Sequence, residues 1–86
     1  MARSSKPTTL TVDIHEMSAL EARRYLERLI ASCGSEVREI EIIHGYHSGR
    51  ALLETVRSGV RSKRIERRCV TMNPGVTIYF LKSSKS

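Results

Sequence analysis

Asp13 and His15 stand two positions apart, and His44 and His47 bracket Gly45 and Tyr46 in a second short stretch. An aspartate that orients or charges an imidazole is an acid/base arrangement. Phosphodiester cleavage calls for such groups: a base for the attacking hydroxyl or water, an acid for the leaving oxygen, and cations or N–H donors for the charge developing on phosphorus. Asp13, His15 and His44 can supply the first two. Arg50 and the amides of Gly45, Tyr46, His47, Ser48 and Gly49 can supply the third. The plain alternative for each histidine is a ring at a strand end that only hydrogen-bonds the backbone. The same residues as metal ligands would be a rival chemistry, but neither a helical H-x-x-x-H nor a paired C-x-x-C supports it. No cofactor is implied, and a divalent-metal requirement is left open. Tyr46 can stack on an unpaired base or serve as a half-buried loop aromatic.

These residues need elements to position them. Leu10, Val12 and Ile14 alternate with Thr11, Asp13 and His15, which predicts a strand ending at Asp13-Ile14-His15. Ser18 and Glu21 form a capping box, and Ala22, Leu26, Leu29, Ile30 and Cys33 mark an amphipathic helix stopped by Gly34. A β-branched run predicts a strand from Glu36 to His44, and Leu52, Leu53, Val56 and Val60 predict a helix from about Gly49 to Arg57, closed by Ser58-Gly59. Arg64 to Val70 and Val76 to Leu81 read as a hairpin around Met72-Asn73-Pro74-Gly75. The order βαβαββ implies a two-layer α/β sandwich with a mixed four-stranded sheet and two helices on one face. Right-handed crossovers then bring Asp13, His15 and His44 to one carboxyl edge, beside a helix start suited to an anion. Residues 1–8 read as a flexible arm, 9–82 as the domain and 83–86 as a flexible tail.

The chain of 86 residues has a net charge of +6, with 40% hydrophobic residues. The excess is all C-terminal: residues 1–56 hold seven Lys/Arg against eight Asp/Glu, and residues 57–86 hold eight against one. Arg57, Arg61, Lys63, Arg64, Arg67 and Arg68 form the footprint expected of a polyanion binder, with a solvated basic face as the alternative. Replacing Arg64, Arg67 and Arg68 by glutamine is expected to weaken binding without lowering the folded population. No apolar run approaches the ~20 residues of a membrane span and no signal core is visible, so a cytoplasmic protein with Cys33 and Cys69 reduced is expected. A monomer is favoured.

Leu10-Thr11-Val12-Asp13-Ile14-His15, Ile42-Ile43-His44-Gly45-Tyr46-His47-Ser48-Gly49 and Asn73-Pro74-Gly75-Val76-Thr77-Ile78-Tyr79-Phe80-Leu81 together resemble the small MutS-related (Smr) domain. The likeness covers about residues 9 to 82. It implies a βαβαββ fold like the C-terminal domain of translation initiation factor three. It also implies DNA or RNA binding, often with nicking or endonuclease activity, in settings of DNA repair, recombination or ribosome quality control. The family's L-D-x-H motif falls on Val12-Asp13-Ile14-His15, and its H-G-x-G motif on His44-Gly45-Tyr46-His47. Val12 replaces the leucine, Glu16 stands where a glycine commonly follows, and His47 replaces the second glycine. The resemblance thus implies catalytic roles for Asp13, His15 and His44. The alternatives are a non-catalytic module for structured nucleic acid or ribosomes, and a protein-interaction domain.

Overall fold

Between Asp13 and Ser18 the chain leaves a strand and enters a helix, and polar groups make both turns. The Asp13 carboxylate accepts the His15 amide N–H at 3.1 Å, and the Met17 N–H reaches the Ile14 carbonyl at 2.9 Å. An aspartate side chain that bonds two residues onward turns the backbone, so β1 (Thr9–Asp13) stops before His15. α1 (Ala19–Ser32) then opens on the capping box: Ser18 Oγ accepts the Glu21 N–H, and Glu21 Oε1 accepts the Ser18 N–H. The computed structural model of the chain describes residues 8–34, 36–45 and 50–82. Residues 1–7 of the arm expected at 1–8, and the tail expected at 83–86, lie outside these residues. Thr8 is tied in, its carbonyl receiving the Arg38 and Glu39 N–H groups.

β2 (Glu39–Ile43) is shorter than the Glu36–His44 stretch expected, because Val37 donates back to the Gly34 carbonyl in a turn before the strand starts. α2 (Arg50–Glu54) runs straight into a π-helical turn, Thr55–Gly59, closed by the Val60 N–H on the Thr55 carbonyl at 3.0 Å. Ser58 Oγ donates to the Glu54 carbonyl there. β3 (Ile65–Val70) and β4 (Val76–Leu81) complete a sheet of order β1-β2-β4-β3. β1 and β2 are parallel, while β4 runs antiparallel to both of its neighbours. The expected mixed four-stranded sheet and hairpin are therefore present, with β4 inserted at the centre.

One sheet face carries the core. Ile40, Ile42, Tyr79 and Leu81 meet Ala22, Leu26 and Ile30 of α1 and Leu52 and Val56 of the second helical segment, all buried. Each large side chain so buried contributes about 2 kcal/mol, which holds both helices on that face. A β-bulge between Ile65 and Arg67 decides which basic side chains join it. Ile65 pairs with Leu81, yet Arg67 pairs with Phe80 and Arg68 with Tyr79. The extra residue swaps the alternation, so Arg68 and Val70 lie on the helix side and Arg67 and Cys69 on the open side. Both cysteines are free thiols.

Candidate nucleic-acid interface

Asp13 is the last residue of β1 and faces away from the helices, with His15 on the turn just beyond it. His15 Nδ1 and Asp13 Oδ1 are 2.5 Å apart, and both side chains are about half exposed. An ionised carboxylate only accepts, which assigns the ring proton to Nδ1 and leaves Nε2 toward solvent, 3.5 Å from Glu16 Oε2. This hydrogen bond holds the Asp13 pKa below its ordinary value and raises that of His15. The couple therefore keeps a proton on Nε2 to higher pH than an ordinary imidazole, available to a leaving oxygen.

His44 follows β2 at the same sheet end but on the other face. Asp13 is in register with Ile43, and the Ile14 N–H bonds the Ile43 carbonyl, so the two strand tips are adjacent. The His44 ring is fully buried. Nδ1 lies 2.9 Å from the Gly45 carbonyl, which assigns its proton, and Nε2 then accepts the Thr77 hydroxyl at 2.9 Å. Burial first, and the nearby Arg57 charge as well, push its pKa down, the Gly45 bond opposing them. The acid and the two imidazoles thus share a rim, but His15 is an exposed acid/base and His44 a neutral, packed ring. Gly45 has φ of 85°, and the Gly75 carbonyl accepts both the His44 and Gly45 N–H groups. A Cβ on Gly75 would lie 3.2 Å from the Gly45 backbone, so the β3–β4 turn closes tightly on this segment. Tyr46, His47, Ser48 and Gly49 lie outside the described residues.

The basic segment is divided by the fold. Arg57, Arg61 and Arg68 line an open groove of about 450 Å³ with Ser58 and Ser62, and no carboxylate is among its described lining. Arg68 is set in place by its stacking over Tyr79 and a hydrogen bond to the Val60 carbonyl. Glu27 accepts the Arg61 N–H at 2.9 Å, a bond that lowers its own pKa and fixes the backbone entering the groove. Arg64 turns elsewhere, its guanidinium donating to the carbonyls of Ile30, Cys33 and Gly34 at the end of α1. Arg67 lies over Phe80 on the open face, 4.6 Å from the ring centre. Lys63 is exposed, and exposed Arg50 reaches Glu54 at 3.5 Å.

Sequence reasoning missed Thr77, Glu27 and the two serines. For the serines a signal existed, since Arg57-Ser58 and Arg61-Ser62 repeat the same dipeptide four residues apart. Thr77 and Glu27 act on residues 33 and 34 positions away, and nothing local marks them. Among the described residues no group of three His, Cys, Asp or Glu stands together to hold a metal ion. No described helix is long and apolar enough to cross a membrane.

Comparison with known proteins agrees with the fold. No curated protein matches the chain. Among solved structures, the crystal structure of the Smr domain of Thermus thermophilus MutS2 superimposes with a TM-score of 0.64 at 26% identity, covering 85% of this chain and 98% of that one. The family model described as Smr domain matches residues 12–75, from the β1 tip through the turn that supports His44 and Gly45. The chain belongs to the Smr domain family.

Proposed function

We propose that this Smr domain binds nucleic acid, DNA or RNA, with phosphates lying in the groove of Arg57, Arg61 and Arg68. The supporting observation is the convergence of three guanidinium groups in a concavity whose described lining has no carboxylate. A concavity lined by cations and hydroxyls with no carboxylate in its described lining favours a ligand that brings its own negative charge. Arg68 is held in place before any ligand arrives, and the Ser62 hydroxyl, which accepts the Arg64 N–H, keeps its own proton to donate. Binding of single-stranded and duplex oligonucleotides should weaken steeply with salt. Replacing both Arg57 and Arg61 by glutamine should lower the log–log slope by about two. Affinity that ignores salt would sink the reading and favour a protein-interaction domain.

The Asp13–His15 couple favours a second step, cleavage of a phosphodiester bond. In that step water attacks phosphorus and releases its proton to solvent once the P–O bond forms, the bond to the leaving oxygen breaks, and protonated His15 passes its Nε2 proton to that oxygen while Asp13 holds Nδ1. His44 keeps the rim folded beside it as a positioning residue. His15→Ala should abolish nicking and leave affinity unchanged. Cleavage that persists unchanged in both His15→Ala and Asp13→Asn would instead come from a contaminating nuclease and leave a non-catalytic module that binds structured nucleic acid, ribosomal RNA included.

A further inference from the structure

The turn between β3 and β4 carries apolar side chains where solvent would favour polar ones. Met72 is 100% exposed and Val70 58%, and Pro74 beside them is exposed as well. A lone exposed apolar residue is ordinary, but these three fall within five residues of one another at the β3–β4 turn. Val70 pairs with Thr77 and therefore stands on the helix side of β3, two residues beyond groove-lining Arg68. The tip is also stiff. Thr71 Oγ1 accepts the Asn73 N–H at 3.1 Å, and Asn73 Oδ1 accepts the Gly75 N–H at 2.9 Å. The Gly75 carbonyl ties the turn to His44 and Gly45. An apolar point is thus held on the same strand as the basic groove, just beyond it.

We infer that Met72, backed by Val70, is a wedge that enters between the bases of a nucleic acid whose phosphates occupy the Arg57, Arg61 and Arg68 groove. The inference rests on the nucleic-acid reading above. Charge selects the occupant: the groove asks for phosphates, the tip for an apolar surface within reach of them, and base faces beside a sugar-phosphate backbone provide both. Inserting methionine or proline at a base step requires unstacking, which costs least where stacking is already broken. The wedge therefore gives the domain a preference for bulged over fully paired duplexes.

The test uses the whole 86-residue chain, with Met72→Ala and Val70→Thr. The probes are a fully paired duplex and the same duplex carrying a one-base bulge with 2-aminopurine at the step. Wild type should raise 2-aminopurine fluorescence. Met72→Ala should remove that rise and lower affinity for the bulged duplex roughly fivefold to tenfold, the low end of a base-stacking contribution. Its affinity and salt slope for the paired duplex should stay at wild-type values, and Val70→Thr should show a smaller loss on the bulged duplex alone. Met72→Ala matching wild type on the bulged duplex overturns the wedge, and salt-dependent binding to both duplexes would then keep the groove and leave the tip as a surface for a protein. No salt-dependent binding to any oligonucleotide overturns both.

Discussion

His15 and His44 carry the same ring into opposite electrostatic settings. Asp13 supports the charged form of His15 through a hydrogen bond, and burial suppresses the charged form of His44. A proton titration followed by NMR should find His15 above the ordinary 6.5 and His44 below it. Asp13→Asn should bring His15 back toward 6.5 and leave His44 in place. The two rings also pull stability in different pH windows. His44 favours the folded state above its unfolded pKa, and that contribution is lost as pH falls from 6.5 through the lower folded value. His15 contributes fully below 6.5 and loses its contribution as pH rises through its raised folded value. Urea unfolding at a series of pH values should thus show a decline on acidification below about 6.5, weaker in a His44→Gln variant that still folds. If cleavage uses protonated His15, its rate should fall as pH rises through the same raised pKa, and a rate that climbs instead would make His15 the base.

At the scale of elements, Arg64 belongs to α1 although it lies just before β3. Its donors satisfy carbonyls that a helix end leaves open, in place of a basic residue within the last turn of the helix itself. Arg64→Gln should therefore cost about 2 kcal/mol of stability, by the measure of hydrogen bonds from a charged donor, while Arg57→Gln and Arg61→Gln change affinity without shifting the urea midpoint. An unshifted midpoint for Arg64→Gln would return it to the phosphate-binding set. The elements show what a sequence carries locally. The Ser18 and Glu21 box, the stop near Gly34 and the Asn73-Pro74-Gly75 turn are written in neighbouring residues, and all three are present. The bulge at Glu66 is different, because it depends on the register of β3 against β4, and it alone decides that Arg68 and not Arg67 joins the groove. A cluster of basic residues in sequence becomes one helix cap, one open-face stack and one groove.

Across the whole molecule, the sheet order sets the distances that matter. β1 and β3 are the two edges, three strand spacings or about 14 Å apart, with His44 at the tip of β2 between them. The Asp13–His15 couple therefore lies at one edge of the rim and the basic groove toward the other. A bound strand would have to cross the β2 tip to touch both. The shared carboxyl edge was legible from the parallel βαβ pattern, since crossover handedness leaves little choice. The separation of Asp13 and His44 onto opposite faces was not, because it depends on the register that sets Asp13 beside Ile43, one residue short of His44.

The division of the arginines is the claim on which the interface stands, and side-chain NMR of the arginine Nε–H groups tests it directly. On titration with a short oligonucleotide at low salt, the Arg57, Arg61 and Arg68 signals should move together and return as salt is added, while the Arg64 signal stays fixed. Movement of Arg64 with Arg57 and Arg61 unmoved would contradict the account.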